Sequence, residues 1–281
     1  MRKISVNKIR EKVAMLCKKA NYKLPDDVKS AIKEVYNKEK SELGKDVLSQ
    51  IIKNYEIAEN SKVPICQDTG IAIFFIKIGE DVKIVDGNIY DAINEGVRNG
   101  YLEGYLRASI VKDPLYDREN TLDNTPAIIH LEIVSGKNLE ITLMPKGAGS
   151  ENMSKMTILT PSASEEDIEN FVVKTVKEGG ANACPPLIVG VGIGGNLESC
   201  TLLSKKALLR KIGTQNPNSK YSQLEKKLLK KINKLGIGPA GFGGIYTALA
   251  VHIETSPCHI SNLPICVNLN CHAARRASLI I

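Results

Sequence analysis

The apolar run at residues 71–78 most restricts the folds open to this chain. It consists of Ile-Ala-Ile-Phe-Phe-Ile-Lys-Ile, which is nearly all apolar and rich in strand-forming residues, and it predicts a buried strand. Strand-like runs also occur at 185–193, 245–253 and 263–269. The chain therefore contains a substantial β component.

Amphipathic patterns between these runs predict helices. Apolar residues at three- and four-residue spacings, such as Ile9 and Val13, predict that residues 1–60 form an amphipathic helical bundle. Ser164, followed three residues later by Asp167, has the pattern of a helix N-cap. Further helices are predicted over about 88–107, 164–177, 196–212 and 223–235.

The arrangement of strands and helices predicts the α+β class. Residues 127–144 give the clearest hairpin pattern, with a turn at 135–138. Strands and helices follow one another without a regular βαβ rhythm, which favours mixed or antiparallel sheets packed with helices. No repeat and no convincing linker interrupts the pattern. We therefore predict one domain over residues 1–281, with a helical subregion at 1–60.

Composition excludes several functional classes. The chain carries 38 Lys and Arg against 31 Asp and Glu, but the two signs are interspersed along the helices. That pattern is typical of a solvated surface, and we expect no nucleic-acid partner. No segment approaches the ~20 apolar residues of a membrane span, and the N-terminus lacks the apolar core of a signal peptide. We therefore expect no membrane association and a cytoplasmic location.

Reactive and polar side chains are concentrated in a few short segments. Residues 66–70 (CQDTG) precede the first buried strand, where polar side chains can reach a cleft. The glycines of 146–152 (KGAGSEN) allow a backbone to approach a ligand, and consecutive amides there can bind an anion. Cys184 precedes two prolines and a glycine-rich strand, while 258–259 (CH) and 270–275 (NCHAAR) lie near the C-terminus.

The glycine-rich strand contains a formal dinucleotide-binding pattern. Gly190, Gly192 and Gly195 satisfy G-x-G-x-x-G. A nicotinamide-dependent oxidoreductase would need an acidic residue ~20 positions further on, and residues 213–216 (GTQN) contain none. A turn packed tightly between strand and helix is the better interpretation.

The seven cysteines divide into buried and loop positions. An odd number in a chain without a secretory signal predicts no disulfide framework, and no C-x-x-C pair occurs. Apolar helix or strand patterns predict burial of Cys17, Cys200 and Cys266. Loop positions, where ligands usually lie, are occupied by Cys66, Cys184 and Cys271. The position of Cys258 leaves both interpretations open.

Four motifs occur together along the chain. They are CQDTG at 66–70, MPKGAGSEN at 144–152, ACPPLIVGVGIGG at 183–195 and NCHAAR at 270–275. In combination they resemble the class I, iron–sulfur-dependent fumarases, whose close relatives are the tartrate dehydratase α-type hydro-lyases. The resemblance covers nearly the whole chain. It implies the α part of a two-chain hydro-lyase that interconverts (S)-malate with fumarate and water.

The resemblance implies a 4Fe–4S cluster around which the sheets and helices pack. Cys66, Cys184 and Cys271 match its protein ligands, and three thiolates leave one iron open. An open iron can act as a Lewis acid on a substrate hydroxyl and carboxylate. Thiolate ligands also suit iron–sulfur better than Mg²⁺ or Ca²⁺.

The resemblance also implies which residues bind a small dicarboxylate. Gln67 and Asp68 match residues that contact the substrate, and Arg107 matches a carboxylate-binding arginine able to donate two parallel hydrogen bonds. Gly149 matches a backbone contact, and His259 matches a hydrogen-bond donor in the active site. Asp68 and His259 are the catalytic residues predicted for this chain.

A partner is implied because the catalytic base of this family lies in the β part. We expect a β subunit, an α2β2 assembly and little dehydration by the chain alone. Alternatives within the family are L(+)-tartrate dehydratase and mesaconase. Outside it, a non-enzymatic iron–sulfur protein would need a fourth ligand, such as Cys258 or Cys266. The sequence leaves open whether His272 supports the cluster or is structural.

Overall fold

Helices and strands alternate irregularly along the chain, and the predicted α+β class is confirmed. A computed structural model describes all residues, 1–281. The α-helices are α1 (Val6–Tyr22), α2 (Asp26–Lys38), α3 (Glu42–Ser61), α4 (Ile89–Glu103), α5 (Ala148–Glu151), α6 (Glu165–Gly179), α7 (Leu197–Ala207) and α8 (Ser219–Asn233). The strands are β1 (Arg2–Ser5), β2 (Ile71–Gly79), β3 (Val82–Val85), β4 (Ile128–Val134), β5 (Leu139–Lys146), β6 (Lys155–Leu159), β7 (Leu187–Gly194), β8 (Ala248–Ser256), β9 (Leu263–Asn270) and β10 (Ala277–Ile280). None of the helices combines the length and the apolar character needed to cross a bilayer.

The chain divides into two compact units. Unit 1 comprises Met1–Pro25, Asn54–Ala148 and Arg275–Ile281, and unit 2 comprises Asp26–Lys53 and Gly149–Ala274. The predicted helical segment at residues 1–60 is confirmed by α1, α2 and α3, but its description as one bundle is wrong, because α1 belongs to unit 1 and α2 to unit 2. The apolar face of α1 packs against α4 instead.

In unit 1, α1 and α4 share an apolar core with a mixed sheet of order β10-β5-β2-β4. Strand β2 is central, and its Phe74 and Ile76 are buried, as the apolar run predicts. The two helices approach closely because α4 presents Gly96 and Gly100 to α1. A Cβ at Gly100 would lie 2.7 Å from the Cβ of Cys17, whose predicted burial is confirmed.

The hairpin predicted over 127–144 is wrong. Strands β4 and β5 do not pair with each other, because β2 lies between them, parallel to β4 and antiparallel to β5. The connection at 135–138 passes over the end of β2, where Gly79 has no side chain to obstruct it. The Gly79 N–H donates to the Asn138 carbonyl oxygen at 2.8 Å. Backbone groups of β4 and β5 that would pair with each other in a hairpin thus pair with β2 instead.

Unit 2 contains a second mixed sheet, of order β6-β9-β7-β8. Strand β7 is buried along its whole length, in contact with α7. Apolar residues of α6 and α8 share a core with β7 and β9. The predicted N-cap is confirmed, since Ser164 and Asp167 form a capping box at α6, and Asn196 caps α7.

The glycine-rich run is a strand on which a helix packs. Gly190 and Gly192 lie within β7, where a Cβ on either would collide with backbone carbonyl oxygens of α7. The chain turns only at Gly194 and Gly195, whose φ angles are +89° and +70°. The expected tight packing between strand and helix is present, but the first two glycines are extended rather than part of a turn.

We expect Gly192→Ala to lower the free energy of unfolding of the metal-free chain. The added methyl group would meet the Cys200 carbonyl oxygen, and overpacking of this kind costs about 1–3 kcal/mol. Urea titration measures the change. Gly149→Ala is the control, because the nearest heavy atom to a Cβ there lies 4.0 Å away. Equal stability of the two variants would contradict the packing argument.

A buried carboxylate on α6 binds two lysines of α8. Glu169 is 1% exposed, and its oxygens lie 2.5 Å from Lys227 Nζ and 2.5 Å from Lys231 Nζ. Burial raises the pKa of Glu169, but hydrogen bonds and charge from the two ammonium groups outweigh it, so the pKa lies below its ordinary value. The ionised form therefore stabilises the contact between these helices.

This contact should weaken in acid. Because the folded-state pKa of Glu169 lies below the ordinary value of 4.5, its stabilisation is fully present above pH 4.5 and is lost as the pH falls through the folded-state pKa. Glu169→Gln should lower the urea midpoint at pH 7, and the difference from the native chain should shrink in acid. A difference that stays constant from pH 7 to pH 3 would contradict this assignment.

Candidate active site

Strand pairing brings two of the motifs together in unit 1. CQDTG at 66–70 ends where β2 begins, and KGA at 146–148 begins where β5 ends, since Ile71 and Lys146 are partners in the antiparallel register. Gly70 has a φ of +75°, and a Cβ there would lie 2.6 Å from the Lys146 carbonyl carbon. Only glycine permits this approach of the two backbones.

The Asp68 carboxylate joins these two segments. Its Oδ1 accepts a hydrogen bond from the Gly70 N–H at 3.0 Å, and its Oδ2 accepts one from the Ala148 N–H at 2.8 Å. Gly147 leaves room for the carboxylate, because a Cβ there would lie 2.9 Å from Oδ2. The half-buried Asp68 is thus held in one orientation by backbone amides on both sides.

Arg107 is attached to the same turn through its backbone. It follows α4 in an irregular segment, and its side chain is exposed. The Thr69 hydroxyl donates to the Arg107 carbonyl oxygen at 2.6 Å. Cys66 and Gln67 are exposed at the start of the turn. Unit 1 therefore collects the predicted residues Cys66, Gln67, Asp68 and Arg107 around one turn.

A buried guanidinium behind this turn was not predicted. Arg275 is 2% exposed, and its Nη1 donates to Asn21 Oδ1 at 2.9 Å, while its Nε has no hydrogen-bond partner. Its Nη2 would lie 3.6 Å from a Cβ on Gly147. Arg275 thus places a positive charge next to the segment that Asp68 holds. Its only sequence signal was its position as the last residue of NCHAAR.

In unit 2, the pairing of two antiparallel strands brings the Cys184 and Cys271 loops together. Cys184 precedes β7 and Cys271 follows β9, and the two strands pair antiparallel with Ile188 opposite Asn270. The His272 N–H donates to the Cys184 carbonyl oxygen at 3.1 Å, and its Nδ1 lies 3.2 Å from that oxygen. His272 therefore supports the Cys184 loop, a role the sequence left open.

Gly149 lies at this same end of the unit 2 sheet. It is exposed at the start of α5, and a Cβ there would lie 4.0 Å from the Asn182 carbonyl oxygen. Beyond α5, Ser154 Oγ accepts a hydrogen bond from the Leu269 N–H at 3.1 Å. Gly149, the residue predicted to contact the substrate through its backbone, is thus close to the Cys184 loop, and Ser154 contacts the strand that leads to Cys271.

The structure does not bring His259 to the cysteine end of its own sheet. Strand β8 is parallel to β7 with Ser256 opposite Gly194, and His259 follows in the loop to β9. Cys184 lies before the other end of β7, and a strand of this length spans about 20–25 Å. The exposed His259 ring accepts a hydrogen bond from the Ser261 N–H at Nδ1, which leaves Nε2 as the donor in the neutral ring.

The environments of the cysteines separate two groups. The predicted burial of Cys200 and Cys266, like that of Cys17, is confirmed. Burial raises the pKa of all three thiols, that of Cys200 to about 12, so they are poor thiolate ligands. The other four are exposed or half-exposed: Cys66, Cys184, Cys258 and Cys271. Neither unit by itself forms a ready-made metal site from three or more His, Cys, Asp or Glu side chains.

Cys184 has an unusual backbone conformation. Its φ of +56° lies in the left-handed region, which costs a non-glycine residue roughly 1–2 kcal/mol. The surrounding segments hold this conformation, because the His272 N–H donates to the Cys184 carbonyl and the Ala240 N–H donates to the Pro185 carbonyl at 2.8 Å. Strain of this kind is concentrated at functional sites, and the exposed thiol here suits a ligand.

Comparison with known sequences places the chain among the hydro-lyases. The profile described as fumarate hydratase (Fumerase) matches residues 10–280, and the chain belongs to that family. It is 46% identical over 276 residues to a Methanocaldococcus jannaschii protein named "Putative L(+)-tartrate dehydratase subunit alpha", with 96% of each chain covered. It is 34% identical over 281 residues to "L(+)-tartrate dehydratase subunit alpha" of Escherichia coli O157:H7, covering 99% of this chain and 92% of the relative. The family resemblance inferred from the motifs is confirmed.

We expect Cys184→Gly to be more stable than Cys184→Ser in the metal-free chain, by about 1 kcal/mol, because glycine adopts this φ without strain. Urea titration measures the difference. The matched control is Cys66→Gly against Cys66→Ser, because Cys66 has no positive φ and glycine should bring no gain there. A glycine variant less stable than the serine variant at position 184 would contradict this account.

Proposed function

We propose that this chain is the cluster-bearing α subunit of a hydro-lyase that interconverts (S)-malate with fumarate and water. The observation that carries the proposal is the junction of the Cys184 and Cys271 loops through His272. It places two accessible thiols at the end of one sheet, in a chain whose family match covers residues 10–280. The resemblance assigns both thiols to an iron–sulfur cluster.

Cys66, Cys184 and Cys271 are the proposed ligands of a 4Fe–4S cluster. All three side chains are exposed or half-exposed, which supports this choice. Metal binds the deprotonated thiolate, and burial in apolar surroundings disfavours that form. When bound through three thiolates, such a cluster supplies a Lewis acid at its remaining iron. Cys266 is a poor fourth ligand, because it is 4% exposed and burial raises its pKa. This disfavours a non-enzymatic electron carrier built on that residue.

Residues of the CQDTG turn and its neighbours bind the substrate in this proposal. Arg107 donates two parallel hydrogen bonds to one carboxylate. The Gln67 amide donates to the substrate, and the exposed Gly149 provides a backbone contact. Asp68 already accepts one backbone hydrogen bond on each oxygen, so each oxygen keeps a lone pair for a proton or hydroxyl of the substrate. Asp68 is the proposed catalytic residue among them.

We propose a β subunit that supplies the catalytic base, in an α2β2 assembly located in the cytoplasm. The names of both relatives, which contain "subunit alpha", support a separate partner chain. His259 is the second proposed catalytic residue, acting as a hydrogen-bond donor through Nε2. Its exposed ring accepts the Ser261 N–H hydrogen bond at Nδ1, which leaves Nε2 to donate to a ligand.

L(+)-tartrate is the second candidate substrate, because both relatives are named as tartrate dehydratase α chains. Tartrate carries one hydroxyl more than malate, and citramalate, a mesaconase substrate, carries one methyl more. The comparison of kcat/KM for these three acids, with both subunits present, ranks the candidates. The highest value with malate supports the leading proposal, and the highest value with tartrate replaces it.

Anaerobic reconstitution tests the cluster directly. We expect about four iron and four sulfide per chain, and a large loss of both in Cys66→Ser and Cys271→Ser. Cys258→Ser is the control and should retain the cluster, since that exposed thiol is not among the proposed ligands. Loss of iron in Cys258→Ser would favour the electron-carrier alternative. Full turnover by the chain without a β subunit would contradict the two-subunit proposal.

A further inference from the structure

The segment that carries Arg107 has no helix or strand of its own. Between the end of α4 at Glu103 and the start of β4 at Ile128, the only regular pairing is an isolated bridge between Val111 and Asn120. A long, flexible side chain on such a segment loses much of its freedom when it binds a ligand. Its backbone has to be fixed by other contacts if the guanidinium is to meet a substrate in one position.

Two buried side chains fix this backbone to the CQDTG turn. Thr69, which is 1% exposed, donates its hydroxyl to the Arg107 carbonyl oxygen at 2.6 Å. Asn124, which is fully buried, accepts a hydrogen bond from the Ser109 N–H at 2.8 Å and donates to the Gly70 carbonyl oxygen at 3.1 Å. The backbone is thus held at Arg107 itself and again two residues later.

The turn that receives these bonds is itself anchored. The Tyr101 hydroxyl lies 3.1 Å from the Thr69 carbonyl oxygen and 3.2 Å from the Gly70 carbonyl oxygen, and it is the donor to this pair. A tyrosine hydroxyl keeps its proton at neutral pH, and burial raises the pKa of Tyr101 further. The Leu106 N–H donates to the Tyr101 carbonyl at 2.9 Å. The start of the Arg107 segment and the turn therefore share one anchor.

The conformation of Asn124 also distinguishes it from an ordinary core residue. Its φ is +60°, in the left-handed region that asparagine tolerates better than most residues. Its side chain reaches both the Arg107 segment and the turn that contains Asp68. A buried amide in this conformation, bonded to backbone on both sides, is suited to holding two loops in a fixed relation.

We propose that Thr69 and Asn124 are positioning residues for substrate recognition. They fix the backbone of Arg107 relative to Gln67 and Asp68, so that the guanidinium is directed to the carboxylate of the hydroxy acid. Both side chains are buried and act through Arg107 without touching the substrate. The inference rests on the proposed function, because that function assigns Arg107 to the substrate carboxylate.

Kinetics of the α–β holoenzyme test the proposal. Thr69→Val removes the hydroxyl donor and keeps the shape of the side chain, while Thr69→Ser retains the donor. Asn124→Gly removes both side-chain hydrogen bonds and permits the same φ. We expect KM for the preferred dicarboxylate to rise about tenfold in Thr69→Val and Asn124→Gly, with a smaller change in kcat. A tenfold change corresponds to about the net free energy of one hydrogen bond. Thr69→Ser should stay close to the native KM, and iron content should be unchanged in all three.

A double-mutant cycle separates positioning from a general structural role. In an Arg107→Ala background, Thr69→Val should change KM less than twofold, because no guanidinium remains whose position could change. A change of roughly that size lies within the additivity error for independent sites. Equal effects of Thr69→Val with and without Arg107 would overturn the proposal. So would a native KM for Thr69→Val in an active holoenzyme, and that result would leave the proposed function intact. If the native holoenzyme turned over none of the dicarboxylates, the proposed function would fail and this inference with it.

Discussion

The close approach of Gly70 to the backbone of Lys146 is the contact on which the candidate site of unit 1 depends. It requires a residue without a side chain and with a positive φ at the start of β2. Once this contact forms, Asp68 can accept a hydrogen bond from the Ala148 N–H. Thr69 and Asn124 can then attach the Arg107 segment to the same turn. Any side chain at position 70 would separate the two backbones and break this series of contacts.

Both units position reactive residues by one topological rule. In an antiparallel pair, the start of one strand lies beside the end of the other. CQDTG precedes β2 and KGA follows its partner β5, while Cys184 precedes β7 and Cys271 follows its partner β9. The rule also explains His259, which follows β8. Because β8 runs parallel to β7, the end of β8 lies at the opposite end of that sheet from Cys184.

Local patterns predicted the elements well and their partners poorly. The buried strands β2, β7 and β9, the capping box at Ser164 and the burial of Cys17, Cys200 and Cys266 all follow from short stretches of sequence. The hairpin over 127–144 was wrong because a strand from more than 40 positions earlier pairs between its two halves. The helical bundle was wrong because an apolar helix face does not specify which other element will cover it. Pairing of distant segments leaves no local signal.

The sequence alone determined the class of elements, the division of the cysteines into buried and accessible, and, through its motifs, the family. Those properties depend on residue type and short-range spacing. Tertiary structure decided how the motifs meet: which strand separates β4 from β5, and that His272 joins two cysteine loops. It also decided that Thr69 and Asn124 attach the Arg107 segment to the CQDTG turn, and that Arg275 lies beside Gly147. Thr69 and Arg275 lie within motifs and Asn124 lies in none, but no local pattern shows what any of the three contacts, because those contacts join segments far apart in the chain.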